Sequence, residues 1–171
     1  MRFLTTLFIT FSILHAGGGI LDIQWPTPNP HQQKPTQPYP AVLTQGIATV
    51  KLPVYVPRNL AYDQNMSVVA DNNFYNITFE LGDASLMVSG DKTFQESVSP
   101  DNPEFGNIAK ASPPVVFNRA EGMMLAEFNR HGVNYSMVIE CNKPETDKRC
   151  KNVSFIQKMY SQLIFVGGNP S

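Results

Sequence analysis

Histidine and cysteine, which most often bind metals or act as nucleophiles, are scarce in this sequence. The 171 residues include three histidines and two cysteines. His15 and His31 fall outside the region expected to fold, and His131 lies beside a glycine in a turn, where we expect a solvated loop residue. Too few histidines are present to build a histidine metal site, so we expect no metal and no cofactor. The G-x-S-x-G motif, phosphate-binding glycine loops and dinucleotide fingerprints are also absent.

Charge is low as well. Charged residues make up 16% of the chain, and the formal net charge is −1. The longest basic cluster, 143–151, is interrupted by Glu145 and Asp147. A protein that binds nucleic acid needs a basic face to neutralise phosphates, so we expect no nucleic-acid partner. The acidic residues fall mostly on outward strand positions or in turns, where we expect them to be solvated. We therefore predict that the protein is not an enzyme.

The only long apolar run lies at the N-terminus. Met1 and Arg2 are followed by an apolar stretch over 3–14, and small residues follow at 16–19. This pattern is typical of a secretory signal peptide, so we predict that residues 1–16 are removed by cleavage after Ala16 or Gly18. The alternative is an uncleaved anchor, but a run of about a dozen residues is short against the roughly 20 that span a bilayer. We expect an exported protein, either periplasmic or cell-envelope associated or else secreted, without a transmembrane segment after signal removal.

The two cysteines lie close together in the sequence, at Cys141 and Cys150. Export exposes them to an oxidising compartment, which favours one local disulfide. A metal or redox pair is a poor alternative, because the spacing is not C-x-x-C and no histidine lies nearby.

A proline-rich segment follows the signal. We predict that residues 17–40 form a flexible tether, since proline fixes φ and removes backbone hydrogen-bond donors. Between Trp25 and Pro40 the chain should be extended and resemble polyproline II. One interpretation is a simple spacer. The other is a docking tail whose aromatic anchors, Trp25 and Tyr39, bind a partner protein.

Residues 41–168 should form a single domain with one disulfide. We predict the α+β class: an antiparallel sheet built from two β-hairpins plus an N-terminal strand, packed against one C-terminal helix. The N-terminal strand is predicted over 47–52. The next segment, 53–57, has a proline at each end, which suits an edge position or an extended lead-in.

Alternation of apolar and polar residues marks one strand in each of two hairpins, 74–81 in the first and 133–141 in the second. The first joins 74–81 to 86–89, and the second joins 123–128 to 133–141. The turn at 129–132 ends in glycine, where a positive φ is wanted. The residues predicted to point inward on the clearest strands are Tyr75, Ile77, Phe79 and Leu81, and Val133, Tyr135, Met137, Ile139 and Cys141.

One helix is predicted near the C-terminus. Ser154 and Gln157 fit a capping box, and an apolar stripe continues to Leu163. Gly167 and Gly168 are typical of a helix end. Because the helix cannot bury its stripe alone, we expect it to lie across the inner face of the sheet.

Two further features have no assigned role from sequence. The proline-rich stretch 97–114 is either a functional loop or a disordered one, and its Phe105 is a third candidate partner-binding residue. The sequence also contains four N-glycosylation sequons, which a bacterial source would leave unused. Their asparagines are Asn65, Asn76, Asn134 and Asn152.

The leading functional hypothesis is a non-catalytic envelope protein that binds another envelope or secreted protein, or serves as a subunit of a secretion-type assembly. One alternative is a small secreted enzyme or effector with an acid site near 97–114. The other is a binder of a small apolar ligand held between sheet and helix.

Overall fold

The computed structural model of the chain describes residues 19–20, 23–27, 37–94 and 114–170. The strands are β1 (Gly19–Ile20), β2 (Val54–Pro57), β3 (Met66–Asp71), β4 (Phe74–Glu80), β5 (Ala84–Asp91), β6 (Thr93–Phe94), β7 (Val116–Ala120), β8 (Met123–Arg130), β9 (Val133–Cys141) and β10 (Leu163–Gly167). The helices are α1 (Ala41–Gly46), α2 (Lys148–Lys151) and α3 (Ser154–Ser161).

The main sheet is antiparallel and six-stranded, in the order β3-β4-β5-β9-β8-β7. It consists of two three-stranded meanders, β3-β4-β5 and β7-β8-β9, whose third strands pair with each other. Two shorter antiparallel pairings lie outside it, β2 with β10 and β1 with β6. The predicted α+β class, with an antiparallel sheet packed against a C-terminal helix, is confirmed.

Tight left-handed turns join the strands of the second meander. Glu121 and Gly122 between β7 and β8 have φ of 50° and 82°, and His131 and Gly132 between β8 and β9 have φ of 57° and 75°. Two consecutive positive φ values match the type I′ turn that suits the twist of a two-residue hairpin. The positive φ predicted for the glycine after His131 is confirmed.

One face of the main sheet, the inner face, forms the core. Its fully buried side chains include Ile77, Phe79, Met137 and Ile139. The helix α3 packs against β8 and β9 and contributes the buried Ile156 and Met159. The predicted inward positions of β4 and β9 are therefore confirmed, except that Leu81 follows the end of β4 and is only half-buried. Burial of such apolar side chains, at roughly 25 cal/mol per Å², is the main stabilising contribution to the fold.

The predicted strand over 47–52 is wrong. Residues 47–49 form a turn that continues α1, since the N–H of Ile47 donates to the carbonyl of Leu43. The first strand of the domain proper is β2, which follows Pro53 and ends at Pro57, and it pairs only with β10. The edge position predicted for 53–57 is thus observed. Val50 and Leu52 are buried all the same, which explains why this stretch resembles a strand in sequence.

The predicted C-terminal helix is too long. α3 ends at Ser161, and Leu163–Gly167 form β10 instead. The residues Leu163-Ile-Phe-Val are typical of a strand, and β2 supplies a pairing partner from far along the chain. The predicted capping box is also wrong, because Val153 is the N-cap and the N–H of Ser154 donates to Oδ1 of Asn152 at 3.0 Å. No helix in the described part of the chain is long and apolar enough to cross a membrane.

Candidate functional site

A continuous series of aromatic contacts runs from β7 to the N-terminal segment. Neighbouring ring centroids in the series lie between 4.9 and 6.4 Å apart, mostly edge to face, the geometry that aromatic pairs prefer. In order of contact the rings are Phe117, Tyr160, Phe128, Tyr135, Tyr55, Phe165 and Trp25. The series connects the main sheet, α3 and the β2–β10 pair at one end of the domain.

Two buried tyrosine hydroxyls hold β2 in place over the inner face. The Tyr135 hydroxyl donates to the carbonyl of Pro53 at 2.8 Å. The Tyr75 hydroxyl accepts from the N–H of Tyr55 at 3.1 Å and donates to its carbonyl at 3.3 Å. Gly90 lies between the two tyrosines in register, and its missing side chain makes room for both rings. This glycine therefore sets the position of Tyr55, and with it one wall of the candidate site.

Arg130, the last residue of β8, lies over three of these rings. Its guanidinium carbon is 5.1 Å from the ring centroid of Tyr55, 5.4 Å from that of Phe128 and 5.9 Å from that of Tyr160. The aromatic faces attract the cation electrostatically. We call these four residues the arginine–aromatic cluster. Between described residues the ion pairs are Arg119–Glu145 and Arg149–Asp147, so no described carboxylate pairs with Arg130.

Burial and the arginine charge determine which groups near the cluster ionise. Burial raises the pKa of Tyr55, although the neighbouring Arg130 lowers it in part. Burial also raises the pKa values of Tyr75 and Tyr135 far above the ordinary value. His131 stacks on the Tyr55 ring at 6.1 Å, and its pKa is lowered by burial and by Arg130. At neutral pH the site therefore has one fixed cation, Arg130, surrounded by neutral rings.

The predicted tether contacts the domain at this end of the sheet. The Trp25 ring packs edge-on against Phe165, and it lies 3.0 Å from where a Cβ on Gly168 would be. The N–H of Gln24 donates to the carbonyl of His131 at 3.1 Å. Residues 23–27 therefore lie on the folded domain rather than apart from it. Apolar contacts and a backbone hydrogen bond hold the segment in this position, and proline content alone does not predict such contacts.

The other predicted partner-binding residues lie elsewhere. Tyr39 packs on Tyr62 at 5.2 Å, beside the buried Pro40 that precedes α1. Trp25 and Tyr39 thus contact different parts of the domain, although both belong to the predicted tether. Phe105, and all of 97–114 except Pro114, lie outside the described residues.

The predicted disulfide between Cys141 and Cys150 is present and joins the end of β9 to α2. Arg149 reinforces this connection, since it pairs with Asp147 and donates to the carbonyl of Leu81 at 2.8 Å. The hydrogen bonds from Arg149 lower the pKa of Asp147 to about 2. This region holds α2 and the start of α3 against the sheet.

No group of three or more histidine, cysteine or acidic side chains among the described residues could hold a metal ion. The sequon asparagines differ in accessibility. Asn65, Asn134 and Asn152 are exposed, whereas Asn76 is half-buried and its amide donates to the Ser89 hydroxyl at 3.1 Å.

No protein-family model, curated protein or solved structure matches the chain. The function must therefore be inferred from the site alone. Sequence reasoning missed Arg130 and Tyr55. The available signal was that Arg130 falls at an inward position of β8, after Phe128, where the alternation predicts an apolar residue.

Proposed function

We propose that the chain is an exported, non-catalytic protein-binding module of the cell envelope, and that the arginine–aromatic cluster and the Trp25 segment form its recognition surface. The observation that supports this most is Arg130, a cation held over three aromatic rings and half-exposed at the end of the sheet. Arginine, tryptophan and tyrosine are the residues that contribute most to binding at protein interfaces.

The surface is both rigid and partly open. Tyr55 and Phe128 are nearly fully buried and fix the ring positions beneath the arginine. Trp25, Arg130 and Phe165 remain half-exposed above them. Side chains that are already fixed lose little entropy when a partner binds, which favours affinity. A partner that supplies a carboxylate to Arg130 would give it a charge partner that no described residue provides.

The tether is part of this proposal. Residues 23–27 contribute Trp25 to the surface, so the segment both connects the domain to the preceding chain and takes part in recognition. The predicted signal peptide and the observed disulfide together favour an exported location. The two alternatives, a secreted enzyme or effector and a binder of a small apolar ligand, remain hypotheses based on the sequence alone. The enzyme alternative depends on an acid site near 97–114.

The experiment compares the partners of the tagged protein and its variants in native envelope fractions after mild crosslinking. Arg130→Ala and Trp25→Ala should each weaken association with a specific partner by about 1–3 kcal/mol. Arg130→Lys should also weaken it, because lysine keeps the charge and loses the planar stacking group. The matched control is Arg119→Ala, which removes an exposed arginine of β7.

Circular dichroism must show that each variant remains folded. The proposal fails if the Arg130 variants are folded and capture the same partners as Arg119→Ala.

A further inference from the structure

The opposite side of the main sheet has a different chemical character. Alternation along the six strands places a second set of side chains on this outer face, away from α3 and the β2–β10 pair. The backbone register arranges them in rows that cross the strands. The row through the middle of the face is Ser67, Thr78, Met87, Val138, Leu125 and Asn118.

The centre of this row is apolar. Met87, Val138 and Leu125 are directly paired across β5, β9 and β8, and all three are half-exposed. None of them packs against the hydrophobic core. With neighbouring strands about 4.8 Å apart, the three side chains form a line about 10 Å long, perpendicular to the strands.

All the charged residues that the six strands place on the outer face are acidic. Glu80 and Glu140 flank Ser85 in the row on one side of the apolar line, and Glu127 lies in the row on the other side. The remaining acids of the face are Asp71 and Asp91. The only cationic residues within the six strands, Arg119 and Arg130, alternate onto the inner side. The ion pairs between described residues involve none of Glu80, Glu127 and Glu140.

We propose that the outer face binds a cationic amphipathic helix of a partner protein, laid across the strands with its apolar stripe on the Met87–Val138–Leu125 line. Residues three or four apart along a helix are about 5–6 Å apart, which matches the strand spacing. Lysine or arginine beside the stripe would then meet acids on both sides. A second copy of this chain does not fit, because its outer face would oppose carboxylates with carboxylates.

This inference builds on the proposed protein-binding role but uses another surface. It can therefore be tested without the native partner. The probe is a fluorescein-labelled Lys/Leu helical peptide of about five turns, measured by fluorescence anisotropy against the intact chain. Two control peptides have the same length: one with the Lys/Leu order scrambled, and one with glutamate in place of lysine.

Two double variants remove the same charge at different places. Glu127→Gln with Glu140→Gln changes the outer face, and Glu121→Gln with Glu145→Gln changes exposed residues of turns and loops. We expect about fivefold weaker peptide binding for the first pair and less than about twofold for the second. Val138→Lys, which places a cation in the apolar line, should weaken binding by about tenfold or more. Arg130→Ala should leave it unchanged.

Equal loss for the two double variants, or equal affinity for the ordered and scrambled peptides, would show non-specific charge attraction and overturn the inference. Absence of binding at about 1 mM peptide would overturn it as well. Failure of the Arg130 experiment would instead count against the proposed function alone, because the peptide assay does not depend on that cluster.

Discussion

Among substitutions that add one methyl group to a residue of β5, Gly90→Ala should destabilise the domain most. A Cβ built at Gly90 would lie 2.6 Å from Cε1 of Tyr75, 2.9 Å from Cε1 of Tyr135 and 3.0 Å from Cδ1 of Leu52. Carbon atoms in contact are normally about 3.5–4.0 Å apart. Both tyrosine rings must therefore move by an appreciable fraction of an ångström. They cannot move independently, because their hydroxyls bond the backbone of Tyr55 in β2 and of Pro53 just before it.

The magnitude follows from two contributions. Overpacking of a filled core costs about 1–3 kcal/mol. Loosening the hydrogen bonds from the tyrosine hydroxyls to Tyr55 and Pro53 adds about 1 kcal/mol. We expect Gly90→Ala to lower the free energy of unfolding by about 2–4 kcal/mol, which corresponds to a fall in Tm of roughly 7–14 °C for a domain of this size.

Urea denaturation followed by tyrosine and tryptophan fluorescence measures the effect. Ser85→Ala is the matched control on the same strand, since Ser85 points to the outer face and is half-exposed, and it should change stability by less than about 0.5 kcal/mol. Gly82→Ala is a second control that separates steric effects from backbone effects. Gly82 has a φ of +75°, and nothing lies within 4 Å of a Cβ built there, so the free energy of unfolding should fall by about 1–2 kcal/mol from backbone strain alone. A Gly90→Ala midpoint equal to that of Ser85→Ala would refute the reasoning.

Two further predictions concern the disulfide and the histidine turn. Replacing Cys141 and Cys150 together by alanine should lower the free energy of unfolding by roughly 2–3 kcal/mol and leave the protein folded at 25 °C, and thiol titration of the untreated exported protein should find no free thiol. The pKa of His131 is lower in the folded protein than in the unfolded chain, so the unfolded chain binds the proton first as the pH falls. Protonation of this histidine therefore reduces the stability of the fold as the pH drops from about 7 through 6.5 towards the folded-state pKa. His131→Asn, which tolerates the observed φ of 57°, should flatten the pH dependence of unfolding in that window, and an unchanged slope would contradict the assignment.

The elements predicted correctly are those whose sequences alternate over a full strand. In β4 and β9 the inward residues are all apolar and the outward ones are polar except Phe74 and Val138, so neighbouring residues alone define both the strand and its buried face. Proline placement likewise predicted an edge for β2. Prediction of the disulfide required only that two cysteines lie close in the sequence and that the protein is expected in an oxidising compartment.

The failures share a physical cause, which is pairing between distant segments. The sequence of β10 extends a helical apolar stripe, and only the approach of β2, over a hundred residues earlier, makes it a strand. The candidate site was missed for the same reason, since Arg130 meets Tyr55 and Tyr160 only in space. Trp25 was identified as an anchor, but the surface that it contacts includes Phe165 of β10 and was not predictable from the tether.

The pairing of β5 with β9 also bears on how the chain folds. Each meander needs contacts only between strands that follow one another, so each can form early. The eight residue pairs between Ala84–Asp91 and 134–141, in contrast, must form across the connection that links the meanders. Loop-closure entropy grows slowly with length, and doubling that connection would cost only about 0.6 kcal/mol. Its length is therefore free to vary among variants with little effect on the folded sheet. Docking of β10 on β2 spans the longest separation and should come last, so the aromatic end of the domain is expected to be the final part to close and the first to open.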